Sequence, residues 1–321
     1  MLQRILSIFA LLGAMCAIGT MPALALDHTC RIAVVKSWDL AEYNVALEDF
    51  FETLSKRDIR CETFTHSLDG KSGDVDRMIA SVKEFKPDLV LTVGSRATSV
   101  VSERLQKTPI VFSMVLYPVA STFVDSMDKP GRNVTGAAMD VPVTLQMDTL
   151  KRILPDLERV GVLYSPKETL PVIQEATRVM KSMGIELVAE EVHTDGDVPD
   201  ALSRLEKQDI DVLWSVADGK VFNRQSTRYI IEQVVRKGIP FMGPHNGFVR
   251  AGALLALTAD YRENGRQAAE LAAQILEGAK PGNIPVRTPR KVEMAINLRV
   301  ANHIGLKIPQ SMIKEASQVF E

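Results

Sequence analysis

The chain has 321 residues, of which 46% are hydrophobic and 24% are charged, and its formal net charge is -2. This length exceeds that of one ordinary hydrophobic core, so the composition predicts a globular protein of two domains and argues against disorder. Basic residues are not in excess, which argues against a nucleic-acid partner, because nucleic-acid phosphates attract clustered lysine and arginine.

Residues 1–25 form a segment of their own. Arg4 provides a positive start, residues 5–18 are an apolar run, and Ala23-Leu24-Ala25 is typical of a cleavage site. The run is shorter than the about 20 residues that a membrane-spanning helix needs. We therefore interpret the segment as a cleaved signal peptide rather than a membrane anchor, and we expect the mature protein in the periplasm.

Two cysteines, Cys30 and Cys61, remain after such a cleavage. An even number of cysteines in an oxidising compartment is compatible with one disulfide bond. Two buried free thiols are an equally good interpretation, because the sequence does not fix the distance between the two side chains.

Six apolar runs predict β-strands at residues 31–35, 89–93, 109–113, 160–164, 211–216 and 239–243. Amphipathic helices separate these runs, and we expect Asp39 to cap the helix after the first strand. Continuous apolar strands that alternate with helices are typical of a parallel sheet with helices on both faces.

The same order of segments occurs twice along the chain. RIAVVKS, which begins at Arg31, is similar to RVGVLYS, which begins at Arg159, and three later pairs of segments follow at nearly the same offset. This repetition predicts two similar α/β lobes. A chance similarity is the alternative, because buried strands use few residue types.

Ligands of open parallel sheets bind beyond the carboxyl ends of the strands, where loops lead into helices. This rule selects the candidate ligand-binding residues Ser37, Trp38, Ser95, Ala97, Thr98, Ser113 and Tyr117 in the first lobe, and Ser165, Thr169, Asp218, His245 and Asn246 in the second.

The clearest of these candidates is the helix start after the third strand. Gly94 permits a tight turn, Ser95 can cap the helix, and the unpaired N–H groups of the first helical turn suit a carboxylate, to which Thr98 can add a hydroxyl donor. Asp218, at the matching position of the second lobe, could receive an ammonium group. A capped helix with nothing bound and an ordinary Asx turn at Asp218 are the alternatives.

Trp38 and Tyr117 could supply apolar walls to the same site. Packing in the core or at the hinge is the alternative for both of these aromatic side chains.

The sequence gives little support for catalysis. The five histidines have no metal-ligand spacing, and a Gly-x-Ser-x-Gly motif is missing. The Ser-x-x-Lys match at Ser126 lies in a predicted surface loop without its partner motifs, and GKS at residues 70–72 lacks the upstream glycine of a phosphate-binding loop. We therefore expect no enzyme, no metal and no cofactor.

Several longer stretches carry a family pattern. They are VGSRATSVV, TPIVFSMVLYPVAS, PGRNVTG, VGVLYSPKE, DYRENGRQAAELAAQILEGAKPGNIPV and INLRVANHIGLKIPQ. In this order they cover nearly all of the chain after residue 25. The chain thereby resembles the substrate-binding proteins of bacterial ABC transporters, in the family whose best understood members bind tryptophan and other aromatic amino acids.

The resemblance implies the type I periplasmic-binding-protein fold, an α/β fold of two doubly wound parallel-sheet lobes joined by a three-segment hinge. The crossings would fall near residues 136–141, 255–261 and 285–294. The first lobe would then contain residues 26–138 and 258–288, and the second lobe residues 139–257 and 289–321. The resemblance also implies that the helix start at residues 95–98 holds a ligand carboxylate and that Asp218 faces its amine.

This chain departs from the family pattern at three pocket edges. Tyr117-Pro118-Val119 stands where members commonly have Asp-Pro-Val, KSWDLAEYN lacks the usual histidine and glycine, and VADGKVFN differs from the commoner Ser-Asp-Asn sequence. The fold tolerates these changes, whereas the identity of the ligand does not carry over.

Together these features predict a periplasmic, monomeric solute-binding protein of an ABC importer. It would capture a small organic ligand, an amino acid or a related carboxylate, by hinge closure and deliver it to a permease in the inner membrane. A periplasmic sensing module that acts on a histidine kinase by the same closure is the alternative.

Overall fold

The apolar runs of the sequence form the strands of two separate sheets. The structure, a computed structural model, describes residues 29–69 and 74–321. The predicted signal peptide at residues 1–25 lies outside the described residues. Within the described ranges, no helix is long and apolar enough to cross a membrane.

The first sheet consists of five parallel strands in the spatial order β2-β1-β3-β4-β5. Its strands are β1 (Cys30–Lys36), β2 (Cys61–Ser67), β3 (Leu89–Val93), β4 (Ile110–Val115) and β5 (Val134–Ala138). The helices between them are α1 (Ala41–Ser55), α2 (Asp74–Phe85) and α3 (Ser95–Arg104). Every residue of β3 and β5 is buried, because helices cover both faces of this sheet.

Alternate residues of these strands pack into two different cores. Val34 and Leu91 lie in the core that contains Phe50 of α1. Val35, on the opposite face, lies in the core that contains Ala97 of α3. Since both faces meet an apolar layer, a continuous apolar run is stable here as a strand, which is why the runs predicted as strands form the sheet.

The second sheet consists of seven strands in the spatial order β12-β11-β10-β9-β8-β6-β7. Its strands are β6 (Arg159–Tyr164), β7 (Glu186–Glu191), β8 (Val212–Trp214), β9 (Phe241–Gly243), β10 (Leu255–Ala259), β11 (Val292–Asn297) and β12 (Gln318–Phe320). Its helices are α4 (Val143–Lys151), α5 (Pro166–Ser182), α6 (Val198–Glu206), α7 (Arg224–Lys237), α8 (Asn246–Ala251), α10 (Leu298–His303) and α11 (Gln310–Glu315). The order β7-β6-β8-β9 matches β2-β1-β3-β4, so the predicted repetition of two similar lobes is confirmed.

One strand pair departs from the predicted parallel arrangement. β10 is antiparallel to β11, with Leu255 opposite Ile296. The chain leaves the second lobe after β10, forms helix α9 (Tyr261–Leu276) and returns in β11. Because it leaves and returns at the same edge of the sheet, β11 runs opposite to β10. Residues 258–259, which we predicted in the first lobe, belong to β10 of the second sheet.

Three segments connect the two lobes. The first follows β5 at Ala138, the second follows β10 at Ala259, and the third precedes β11 at Val292. Helix α9, between the second and third crossings, packs against α1 of the first lobe. The contact is so close that a Cβ on Gly265 would lie 2.0 Å from the carbonyl oxygen of Ala46. The first lobe is therefore built from two distant parts of the chain.

The prediction that Asp39 caps α1 is wrong. The N-cap residue is Leu40, and the helix has no side-chain cap. The Asp39 carboxylate instead accepts a hydrogen bond from Lys36 Nζ at 2.5 Å, and Lys36 Nζ also donates to the Asn44 side chain at 3.2 Å. The hydrogen bond and the charge of Lys36 hold the pKa of Asp39 below its usual value. The buried ammonium group thus outcompetes the helix N–H groups for this carboxylate.

A disulfide bond joins Cys30 and Cys61. These two residues begin β1 and β2 and are direct neighbours in the register of the two strands. β2 is an edge strand without a fully buried residue, so it gains little from the hydrophobic core. The disulfide, which the sequence left open, therefore fixes this strand to the centre of the first lobe.

Loss of the disulfide should destabilise the first lobe. We expect Cys30→Ala/Cys61→Ala to lower the free energy of unfolding by about 3–4 kcal/mol, because the bond closes a 31-residue separation and restricts the unfolded chain. Unfolding in urea measures this difference. Dithiothreitol should cause the same loss in the wild type and none in the double variant. Equal stability of the variant and the oxidised wild type would contradict the prediction.

Candidate functional site

The carboxyl edges of the two sheets face each other. Tyr117 follows β4 in the first lobe and Ala217 follows β8 in the second, and the Ala217 N–H donates a hydrogen bond to the Tyr117 hydroxyl at 3.0 Å. Ligands of α/β proteins bind at such strand ends. The space around this contact, which we call the cleft, is therefore the candidate site.

Helix α3 begins directly at the end of β3. Its N-cap residue is Gly94, which has a φ of 88°, a conformation that favours glycine. A Cβ at this position would lie 2.4 Å from the Tyr43 hydroxyl and 2.6 Å from the Ser37 hydroxyl. Both the backbone conformation and the packing therefore require glycine at the helix start.

The cap of α3 comes from a neighbouring loop. The prediction that Ser95 caps this helix is therefore wrong. Ser37 is buried, and its Oγ accepts a hydrogen bond from the Ala97 N–H at 2.9 Å. Ser95 is instead the first helical residue. The N–H groups of Ser95 and Arg96 have no acceptor in the described part of the chain. These two amides are the ones with which the helix can bind an anion.

Ala97 and Thr98 are fully buried under the start of α3. The Thr98 hydroxyl lies 2.8 Å from the Thr92 hydroxyl and donates to the Gly94 carbonyl at 3.0 Å. Ala97 belongs to the core of the first lobe. Direct ligand contact stays a prediction for both residues, and the structure gives their side chains the task of fixing α3 to β3.

Trp38 lies at the rim of the first lobe and is 47% exposed. The guanidinium group of Arg96 lies 5.1 Å from the centre of its ring and also donates to the Leu68 carbonyl at 2.8 Å. This cation–π contact connects the loop after β1 to a side chain of the first turn of α3. Of the predicted aromatic walls, Trp38 therefore offers an exposed ring at the cleft.

Ser113, at the end of β4, is held by Asn264 of α9. Asn264 Oδ1 accepts hydrogen bonds from the Ser113 hydroxyl at 2.7 Å and from the Met114 N–H at 2.9 Å. Its Nδ2 donates to the carbonyls of Ala137 and Ala138 at 3.1 and 3.0 Å. Asn264 is 1% exposed, so this buried amide ties β4, β5 and α9 together where two of the crossings begin.

The loop after β4 contains unusual backbone conformations. Met114 and Tyr117 have φ values of 57° and 53°, which few non-glycine residues adopt. A side chain anchors the amide of each residue. Asn264 accepts from the Met114 N–H, and both carboxylate oxygens of Asp140 lie 2.9 Å from the Tyr117 nitrogen.

Two carboxyl groups, Asp140 and Asp218, lie close enough to the Tyr117 hydroxyl to affect it. Burial raises the pKa of Asp140 to about 7, although the Tyr117 N–H favours the charged form. Burial also raises the pKa of the Tyr117 hydroxyl above its usual value, and the charges of Asp140 and Asp218 add to this effect. Tyr117 therefore stays neutral and serves as the acceptor for the second lobe.

Asp218 holds two loops of the second lobe together. It is 2% exposed, and its Oδ2 accepts from the Ser165 N–H at 2.7 Å and from the Thr169 hydroxyl at 2.6 Å. Its Oδ1 accepts from the N–H groups of Lys220 and Val221 at 3.1 and 3.0 Å. The Asx turn that the sequence offered as the alternative is thus present. A contact with an ammonium group stays a prediction, and it would have to displace one of these four donors.

The two remaining candidates follow β9. His245 is the N-cap residue of α8, and its Nδ1 accepts a hydrogen bond from the Gly247 N–H at 3.1 Å. Burial lowers the pKa of His245, which keeps the ring neutral. Asn246 accepts a hydrogen bond from the Thr258 hydroxyl at 3.2 Å. Their contact with a ligand stays a prediction.

A groove of about 800 Å³ also lies beside His245, between α7 and α8. Its lining residues, which include Phe222 and Phe248, all belong to the second lobe. A site between the lobes needs residues of both, so this groove is not that site, although the candidate residue His245 is part of its lining.

The sequence matches the ABC transporter substrate-binding protein family over residues 46–320. The chain belongs to this family. It is 30% identical over 215 residues to a tyrosine-binding protein of Clostridioides difficile (strain R20291), in a match that covers 66% of this chain and 61% of the relative. The chain thus spans less than two thirds of that relative's length.

Two solved structures share the fold. A Streptococcus pneumonia protein in complex with L-Trp has a TM-score of 0.69 and 21% identity, over 91% of this chain and 100% of that chain. The ligand-free, open structure of a substrate-binding protein with adhesive properties from Clostridium difficile has a TM-score of 0.76 and 22% identity, over 91% and 99%. The predicted type I periplasmic-binding-protein fold is confirmed.

Two residues of this substrate-binding protein's cleft were missed by the sequence reasoning. Asn264 lies four residues before Ala268 and therefore on the buried face of α9. A polar residue on an otherwise apolar helix face was the sequence signal that could have identified it. Asp140 is the only charged residue between β5 and α4. Its carboxylate accepts a hydrogen bond from the Tyr117 N–H, so it lies beside one of the predicted site residues.

Removal of the Asp218 carboxylate should destabilise the second lobe. Asp218→Ala leaves four donors without their acceptor, and we expect the free energy of unfolding to fall by about 3 kcal/mol. Asp200→Ala, an exposed change in α6 of the same lobe, should cost no more than about 0.5 kcal/mol. Urea unfolding compares the two variants. Similar stabilities would show that the carboxylate does not hold the loops.

Proposed function

We propose that this protein is the solute-binding component of an ABC importer, which captures an amino acid between its lobes and delivers it to a permease in the inner membrane. In this proposal residues 1–25 are removed as a signal peptide and the mature protein acts in the periplasm as a monomer. The hydrogen bond between Ala217 and Tyr117 carries the proposal, because it brings the ligand-binding edges of both lobes to one place.

An aromatic amino acid is the proposed class of ligand. The tyrosine-binding relative and the Trp-bound structure support this class, because both belong to proteins that this chain resembles over most of its length. The cleft also offers suitable groups. The free amides of Ser95 and Arg96 suit a carboxylate, and the exposed ring of Trp38 offers a surface for stacking.

The twelve predicted site residues fall into two groups in this proposal. The ones proposed to contact the ligand are Trp38, Ser95, Tyr117, His245 and Asn246. The others are buried, and they are proposed to act on the ligand by holding the strand ends in place: Ser37, Ala97, Thr98, Ser113, Ser165, Thr169 and Asp218.

Closure would follow from contacts that exist only when the lobes are together. A ligand that binds groups of both lobes stabilises the closed arrangement by the free energy of those contacts. The three crossings are short, so rotation about the segments near residues 139–142, 260 and 287–291 is the proposed hinge movement.

Direct binding measurements test this function. We expect isothermal titration calorimetry to detect tyrosine or tryptophan binding to the purified protein, with leucine and glutamate binding at least about tenfold more weakly because they lack an aromatic ring to bury. Small-angle scattering should show a smaller radius of gyration with the ligand. If neither aromatic amino acid binds or changes the scattering, the proposed function is wrong.

The contact between the lobes gives a second test. Tyr117→Phe removes the hydroxyl that accepts from Ala217 and keeps the ring, so we expect affinity for the aromatic amino acid to fall about 2- to 10-fold with an unchanged melting temperature. Tyr164→Phe is the matched control, because the Tyr164 hydroxyl donates a hydrogen bond to Glu191 within the second lobe and does not join the two lobes in the described part of the chain. An equal effect of both variants would mean that the contact does not contribute to closure.

A further inference from the structure

The carboxylate of Asp140 lies at the boundary between the lobes. It stands two residues after β5, in the first crossing segment, and contacts the Tyr117 N–H, while the hydroxyl of Tyr117 contacts Ala217 of the second lobe. Asp140 is therefore connected through one residue, Tyr117, to the hydrogen bond that joins the two lobes.

Asp140 has acceptor capacity that the protein does not use. A carboxylate has about four lone-pair positions for hydrogen bonds. The donors to Asp140 are the N–H of Tyr117 and its own main-chain N–H, and it forms no ion pair with any described residue. Asp218, the other carboxylate near Tyr117, already accepts four hydrogen bonds from its own lobe.

A partly buried carboxylate without a cation is energetically unfavourable, so the group either takes up a proton or pairs with a cation that a ligand supplies. The groups around Asp140 do not supply it. Tyr117 stays neutral, Asp218 adds negative charge, and no basic side chain among the described residues contributes to the pKa shift of Asp140. The cleft thus has one carboxylate that is open to a cationic group.

We propose that Asp140 binds the ammonium group of the amino-acid ligand, whereas Asp218 holds the loops of the second lobe. This inference rests on the proposed function and names the residue that distinguishes an amino acid from a carboxylic acid without an amine. The amides of α3 would then bind the ligand carboxylate and Asp140 the ammonium group, so that the two lobes' boundary fixes both charged groups on the ligand's α-carbon.

The test compares tyrosine with hydroxyphenylpropionate, which is tyrosine without its amino group, and tryptophan with indolepropionate. Asp140→Asn keeps an oxygen for the Tyr117 N–H and removes the charge. We expect this variant to lose about 10- to 100-fold in affinity for the amino acid, as for a lost charged hydrogen bond, and less than about threefold for the analogue. Titration calorimetry measures both affinities.

Asp76→Asn is the matched control, because it makes the same change in an exposed ion pair with Arg104. It should leave both affinities unchanged. If Asp140→Asn weakens the amino acid and its analogue equally, Asp140 only shapes the cleft through Tyr117 and the inference is overturned. An unchanged affinity for the amino acid overturns it as well.

The wild-type protein provides a measurement that does not depend on the folding of a variant. The pKa of Asp140 in the ligand-free protein is about 7, so at lower pH a proton must leave before an ammonium group can pair with the carboxylate. We expect the affinity for tyrosine to rise about 10- to 30-fold between about pH 5.5 and pH 8, while that for hydroxyphenylpropionate stays nearly constant. A constant ratio of the two affinities would overturn the inference.

These measurements separate the two proposals. Binding of tyrosine or tryptophan by the wild type tests the function, whereas the ratio between each amino acid and its analogue tests Asp140. If the wild type binds the amino acid and its analogue equally well, the proposed function is supported and the inference about Asp140 is overturned. If the wild type binds none of the four compounds, both the proposed function and the inference about Asp140 are overturned.

Discussion

The side-chain amide of Asn264 is the interaction on which the rest of the cleft depends. Its oxygen accepts from β4 and its nitrogen donates to β5, although the residue itself belongs to α9. An amide is the one neutral group that offers two donors together with an acceptor, so neither aspartate nor leucine could make this set of bonds. β5 lies just before the first crossing, and α9 lies just after the second. The amide of Asn264 therefore joins the first-lobe ends of two of the connections between the lobes.

The backbone of the adjacent loop is maintained by this arrangement. Positive φ at a non-glycine residue costs about 1–3 kcal/mol, and Met114 and Tyr117 both have it. Asn264 and Asp140 offset this cost by accepting from the two amides concerned. The loop therefore keeps a fixed shape, which directs the Tyr117 hydroxyl towards the second lobe. The first lobe thus prepares the cleft through its backbone, whereas the second lobe does so through the buried carboxylate of Asp218.

Local patterns in the sequence predicted the six strands β1, β3, β4, β6, β8 and β9, since each is an apolar run covered on both faces. They did not predict the more exposed edge strands β2 and β7. They predicted less about the cleft, because its important contacts join residues that are far apart in the chain. Ser37 caps α3 from 60 residues away, and Asp140 reaches Tyr117 across 23 residues. The antiparallel β11 follows from the path of the chain between the lobes and not from its own residues. Asp39 shows the same limit, because a nearby lysine competes with the cap that its position suggests.

The position of α9 also affects the order in which the protein can fold. Leu271 and Ala272 of α9 cover one face of the first sheet, in the core that contains Ile32 and Val34 of β1. During synthesis only α1 covers this face until the ribosome has passed residue 276, long after β1 to β5 have emerged. The nascent first lobe is therefore an incomplete intermediate for most of translation. For a protein proposed to be exported, such late completion favours transport across the membrane before the chain folds.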